Sequence, residues 1–177
     1  MMMQTLLNLV HGCGVTRAAA VAQHDVVYNA AFRDICAQNT CGLYGTCYMC
    51  PPDIGPIEAL MKQAQQYPVC IMYQTVAALE DSFDFEGMEN GMRSFKSTVD
   101  NVADAVKPVL GPVLILSNEG CGRCMTCTYP DDPCRFPDKL YPSIEGFGFI
   151  VGELAQQAGI RYNNGPNTVT FFGAVVY

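Results

Sequence analysis

VCIMYQTV, residues 69–76, carries no charge, glycine or proline and is rich in β-branched and aromatic side chains. A strand open to solvent on one face alternates apolar with polar residues, so an unbroken run of this kind reads as a strand buried on both faces. Val113–Leu116 and Thr168–Val176 read the same way, and residues 16–22 (TRAAAVA) more weakly so. The intervening segments have helical character. Residues 29–37 form one short candidate helix. Pro56 suits a helix start, and Ile57, Leu60, Met61 and Ala64 share one face of a helix running to about Tyr67. Met92, Phe95, Val99, Val102, Ala103 and Val106 keep helical spacing between about Glu89 and Lys107, before Gly111-Pro112. Ile144 and Phe147 suggest a helical turn, and Val151–Ala158 a short helix closed by Gly159. Apolar strands separated by helices predict a central sheet covered by helices on both faces, an α/β or mixed α+β fold. Residues 1–177 are expected to form a single metal-binding domain.

Composition narrows the function. A chain of 177 residues with 50% hydrophobic and 15% charged residues can bury a core and does not resemble a disordered chain. Its longest uncharged apolar run, around Leu114, falls short of the ~20 residues of a membrane span. A net charge of −7 argues against a nucleic-acid backbone as partner. The N-terminal MMMQTLLNLVHGCG has no Lys or Arg before Arg17 and an apolar stretch interrupted by Asn8, so it lacks the marks of a secretory signal. Cytoplasmic placement is the expectation. Thiols stay reduced there, and grouped cysteines serve as ligands or catalysts more often than as disulfides.

Ten cysteines are present, and eight of them fall in two groups. The stronger signal is Cys121-x2-Cys124-x2-Cys127-x6-Cys134. Two-residue spacing lets three thiolates converge from one short loop onto a single inorganic centre, as in bacterial ferredoxins. Gly120, Gly122, Pro130 and Pro133 supply turns, and Arg123 and Arg135 are placed to offset thiolate charge. The other group is Cys36-x4-Cys41-x5-Cys47-x2-Cys50, followed by Pro51-Pro52. Its spacing matches no standard run. The two groups could hold two four-iron clusters, block by block or with Cys50 and Cys134 exchanged, or one cluster with idle thiols. Cys70 reads as a small hydrophobe inside a strand, and Cys13 has no assigned role.

Iron–sulfur is favoured over zinc, because His11 and His24 are remote in sequence and structural zinc normally takes two separated Cys-x2-Cys pairs. Zinc in a structural or interaction module remains the alternative. The acidic stretch Glu80–Glu89 fails the calcium-loop pattern and reads as a solvated helix start. The glycines at 146, 148 and 152 are too widely spaced for a dinucleotide fingerprint. No phosphate loop or hydrolase elbow is present, so no catalytic residue is assigned.

Residues 33–60 (RDICAQNTCGLYGTCYMCPPDIGPIEAL), 73–88 (YQTVAALEDSFDFEGM), 119–151 (EGCGRCMTCTYPDDPCRFPDKLYPSIEGFGFIV) and 162–177 (YNNGPNTVTFFGAVVY) together resemble the prokaryotic predicted metal-binding protein family of unknown function, over roughly residues 30–177. The resemblance implies metal binding through Cys36, Cys41, Cys50, Cys121, Cys124, Cys127 and Cys134. It does not clearly include Cys47, and members tend to carry tryptophan where this chain has Tyr48. The expectation is a protein with one or two [4Fe–4S] clusters, working in electron transfer with a redox partner protein. An iron–sulfur enzyme with an open iron becomes the alternative if the first group supplies only three ligands.

Overall fold

The computed structural model describes residues 2–118 and 120–177. Four strands form one sheet: β1 (Arg17–Ala22), β2 (Val69–Ala78), β3 (Leu114–Leu116) and β4 (Thr168–Val176), in the spatial order β1-β2-β4-β3. Every neighbouring pair is antiparallel, with Cys70 opposite Val176, Ala18 opposite Tyr73, and Leu116 opposite Ala174. The helices are α1 (Met2–Gly12), α2 (Phe32–Ala37), α3 (Ile57–Ala64), α4 (Phe85–Leu110) and α5 (Val151–Gln157). The architecture is mixed α+β.

Side chains alternate across the sheet with period two, and each face has its own core. On one face Ile71, Tyr73, Ile115, Phe171 and Val175 meet Leu6 and Val10 of α1 and Phe95, Val99, Val102 and Val106 of α4. On the other, Cys70, Met72, Phe172, Ala174 and Val176 meet Leu60 and Ala64 of α3, Leu154 and Ala155 of α5, and Ile144, Phe147 and Phe149. Two-sided burial accounts for the continuous apolar runs in β2 and β4. It requires helices on both faces and is indifferent to strand direction, which is why an antiparallel sheet shows the run more familiar in parallel ones.

Several boundaries differ from the sequence expectation. The helix expected from Glu89 begins at Phe85 and runs to Leu110. Asp84 caps it, accepting the Gly87 N–H at 2.7 Å, so the acidic stretch is indeed a helix start but its cap lies further upstream. Gly111, at φ +71°, ends the helix by donating its N–H to the Lys107 carbonyl at 3.0 Å. The short helix expected over 29–37 is confined to Phe32–Ala37. The one expected to reach Tyr67 stops at Ala64. Helix α1 was not anticipated: Met2, Met3, Leu6, Leu7, Leu9 and Val10 fall around it without a clean stripe, and only Leu6 and Val10 are buried, against α4 and the sheet. A 3₁₀ turn at Glu145–Phe147 stands where a helical turn was expected.

One close approach shapes the α4 face. Tyr73 lies opposite Gly173 in the register, and a Cβ at Gly173 would run into the Tyr73 ring. With that space available, Phe95 packs with ring centroids 6.4 Å from Tyr73 and 5.5 Å from Phe171. Among the described residues no helix is long and apolar enough to cross a membrane.

Phe95 and Cys70 are both fully buried, on opposite faces of the sheet. Phe95→Ala is expected to cost about 3–5 kcal/mol, through lost apolar contact and the cavity left behind. Cys70→Ser is expected to cost roughly 1–3 kcal/mol by burying a hydroxyl in an apolar site, with metal content unchanged. Denaturant midpoints with metal analysis check both, and metal loss in Cys70→Ser would remove it from the purely structural residues.

Candidate metal centre

The 121–134 segment leaves the sheet directly after β3 and returns to the same point. Ser117 donates its N–H to the Pro142 carbonyl at 2.9 Å, and Ile144 donates to the Ser117 carbonyl at 2.7 Å. Asn118 Oδ1 accepts the Phe172 N–H of β4 at 2.9 Å, tying this neck to the sheet. The loop is also braced internally. Thr128 Oγ1 donates to the Pro133 carbonyl at 3.1 Å and Arg135 Nη1 to the Thr126 carbonyl at 2.9 Å. The other cysteine loop links α2 to α3, where Arg33 Nη1 reaches the Gly55 carbonyl at 2.5 Å and Gly45 donates to the Pro51 carbonyl at 2.8 Å.

The two loops meet. Tyr48 hydroxyl donates to the Asp132 carbonyl at 2.5 Å, and its ring stands edge-on to Tyr129 at 5.1 Å. Two cysteine-lined cavities result. The first, about 130 Å³, is lined by Cys121, Cys124, Cys127 and Cys134 together with Cys47. The second, about 340 Å³, is lined by Cys36, Cys41 and Cys50. Leu43 lies on the wall of both. The structure therefore divides the eight cysteines five and three. The boundary runs between Cys47 and Cys50 inside the first sequence group, and Cys134 stays with its own block. Neither His11 nor His24 lines either cavity.

Backbone N–H groups point at the sulfurs of the first cavity. Tyr129 donates to Cys127 Sγ and Phe136 to Cys134 Sγ, each at 3.4 Å. Cys121 receives the N–H of Arg123, and Cys47 those of Met49, Cys50 and Cys121. The donor lies two residues after its cysteine in four cases, the signature of a tight turn around each sulfur. Such donors favour the thiolate. The Cys47 thiol is pushed down to about 6, chiefly by its hydrogen bond with the Cys50 thiol. Cys50 is driven up by the same contact and by burial. Burial also raises Cys121 and Cys36, and the Arg33 guanidinium opposes the rise at Cys36.

The expected charge compensation is only partly as read from sequence. Arg123 sits beside Cys121 but is engaged by Asp100, to which it donates through Nη1 at 2.9 Å and Nη2 at 2.6 Å. Its guanidinium also lies 5.5 Å from the centroid of the buried Tyr141 ring. Arg135 braces the loop through the Thr126 carbonyl. Lys96 of α4, which no motif marked, donates to the Cys121 carbonyl at 2.9 Å. Arg33 was also overlooked, although its position three residues before Cys36 on a candidate helix was a usable sign.

The donor set suits a thiolate-bound centre. Among the described residues, no three His, Cys, Asp or Glu side chains are gathered closely enough for a single metal ion. Tetrahedral zinc with bonds of about 2.3 Å needs its sulfurs about 3.8 Å apart. A four-iron cube spreads its ligands more widely, because each cysteine takes a different corner. Cysteines that line a cavity, with N–H donors to their sulfurs, suit a thiolate-bound metal centre of either kind.

Fold and site thus define a cysteine-lined, metal-binding protein of mixed α+β architecture. Residues 19–177 match the family model described as "Predicted metal-binding protein (DUF2284)", and the chain belongs to that family. Among curated proteins and among solved structures, none matches the chain.

Few large apolar side chains hold the 121–134 loop, and Met125 within it is fully exposed. Ligand bonds should therefore supply much of its order. Amide hydrogen exchange is expected to be fast across 121–134 in metal-free protein and slow in metal-loaded protein. Equal protection in both states would show that the hydrogen bonds at its neck and within it suffice.

Proposed function

We propose that the protein is an iron–sulfur electron-transfer protein, with Cys121, Cys124, Cys127 and Cys134 as the ligands of a [4Fe–4S] cluster. The observation that carries this reading is the first cavity: four cysteines of one loop line it, and backbone N–H groups meet the sulfurs of Cys121, Cys127 and Cys134. A bound cluster would supply a one-electron couple. The protein's part is to close the coordination shell, exclude competing ligands and stabilise negative charge. Four thiolates leave no iron open, which favours electron transfer over Lewis-acid chemistry. Each N–H aimed at a sulfur lowers the energy of the more negative, reduced state and so raises the potential.

Cys47 stands in this cavity as a fifth cysteine and hydrogen-bonds to Cys50 of the neighbouring one. It supports a short link between the two sites. The partner in this reading is a redox protein. Met125 and the half-exposed Phe136, a residue of the cavity wall, offer apolar contact surface for it next to the cluster.

Protein purified without oxygen is expected to contain iron and acid-labile sulfide in near-equal amounts, about four or eight irons per chain. Stoichiometric zinc with negligible sulfide would overturn the reading. Cys124→Ser should weaken the first centre, since serine is a harder and far less acidic ligand. Because Cys47 lines the same cavity and could substitute, the decisive variant combines Cys124→Ser with Cys47→Ser. Loss of about four irons is expected from the double variant, and full retention would remove the 121–134 loop as the ligand source.

A further inference from the structure

We infer that a third cavity, backing onto the first cysteine site, binds the phosphate group of a small phosphorylated molecule, with Arg93 and Lys96 of α4 as its charged contacts and Ser97 as a hydroxyl donor. Such binding is separate from electron transfer and holds whichever metal the cysteines carry.

The cavity measures about 310 Å³ and lies between α4 and the start of the 121–134 loop. That volume is at the lower end of the roughly 300–1,000 Å³ range of small-molecule sites. One wall is a single face of α4, where Arg93, Lys96, Ser97 and Asp100 fall at positions i, i+3, i+4 and i+7 of the helix. Another wall is the loop itself, and Cys121, Gly122 and Arg123 line both this cavity and the first. Gly122, at φ +68°, keeps the two walls apart. A Cβ there would stand 2.9 Å from Lys96 Nζ, so the glycine leaves the space into which the ammonium reaches.

The charges of the lining are out of balance. The chain carries −7 overall, yet three of its ten Lys and Arg residues line this cavity, against a single carboxylate among the described residues of the wall. That carboxylate is already satisfied. Asp100 accepts from both Arg123 Nη groups, at 2.9 and 2.6 Å, and Lys139 Nζ stands 3.6 Å from it. Lys96 donates to the Cys121 carbonyl at 2.9 Å, a neutral partner. Arg93 meets Glu89 at 3.5 Å, but these side chains are 66% and 68% exposed, and exposed pairs of this kind are weak. Neither Arg93 nor Lys96 lines a cysteine cavity, so the thiols do not account for their charge. A phosphate monoester, carrying about −1.5 to −2 at neutral pH, matches two cations where a carboxylate would match one.

The rest of the lining suits such a ligand. The Ser97 hydroxyl donates within α4 to the Arg93 carbonyl at 3.3 Å, a long contact that a charged acceptor would displace. Met49, Val99 and Tyr141, all buried, give apolar wall for the body of the molecule. The Tyr141 hydroxyl is buried and has no hydrogen-bond partner among the described residues. A buried hydroxyl left unpaired is unusual, and a polar group on a molecule bound against Tyr141 would supply the partner.

The test titrates phenyl phosphate, a phosphate monoester with an apolar body, into metal-loaded protein purified without oxygen, with calorimetry as the readout and benzoate as the carboxylate comparison. Phenyl phosphate is expected to bind saturably, and benzoate about tenfold more weakly. Arg93→Gln and Lys96→Gln should each weaken phenyl phosphate about tenfold. Lys62→Gln removes the same charge from α3, on the other side of the sheet, and should leave the affinity unchanged. Lys96→Gln also removes the bond to the Cys121 carbonyl, so metal content is measured in every variant. Arg93 is 66% exposed on α4, and its variant gives a reading that a disturbed loop does not imitate. Equal affinity in wild-type protein and Arg93→Gln would overturn the site. Metal lost from Lys96→Gln with phenyl phosphate binding retained would show that the charge serves the cysteine loop instead. Benzoate binding as tightly as phenyl phosphate would overturn the choice of phosphate, and no saturable binding of either would overturn the whole inference.

Discussion

The antiparallel pairing of β2 with β4, buried on both faces, is the constraint on which the remaining structure rests. Nine residues of each strand pair from Cys70 to Ala78, and their side chains feed two separate cores. That pairing forces α1 and α4 onto one side and α3 and α5 onto the other. It also fixes where β3 can end. Since β3 is three residues long and lies at the sheet edge, the chain departs early and must return to satisfy the polar groups of Ser117. The cysteine loop is what fills this excursion.

The position of the metal sites follows from that geometry. One loop springs from the end of an edge strand and the other from the link between α2 and α3, and they touch through Tyr48, Tyr129 and Asp132. The 121–134 loop has few large apolar side chains, whereas Cys47 and Met49 of the other loop are buried in the core on the α4 side of the sheet. The sheet carries the start of the 121–134 loop and helices α2 and α3 carry the ends of the other. Thiolate ligands add negative charge to a chain already at −7. Compensation falls mainly to bound metal and backbone N–H dipoles, because Arg123 is tied to Asp100 and Arg135 to a carbonyl.

The two cavities differ in size and lining although they share a wall at Leu43. One is small and has five cysteines in its lining. The other is larger and has three. The contact between Cys47 and Cys50 joins them.

Much of this was legible in residue order alone. Charge-free β-prone runs at 69–76 and 168–176 specified two-sided burial, because only helices on both faces can cover such strands. The periodicity of Phe95, Val99, Val102 and Val106 marked the long helix, and the Cys-x2-Cys-x2-Cys run marked a loop whose cysteines line one cavity, because local spacing decides whether thiols can converge. Helix α1 was hidden, since its apolar residues, Leu6, Leu7, Leu9 and Val10 among them, mark no single face. What only the tertiary structure decided was how the cysteines divide. Cys47 and Cys50 are neighbours in sequence, yet the turn between them sends one to the 121–134 loop and leaves the other with Cys36 and Cys41. Spacing governs which ligands can share a centre within one loop. Which loops share a cavity depends on where the sheet brings their ends, and that is a property of the folded chain.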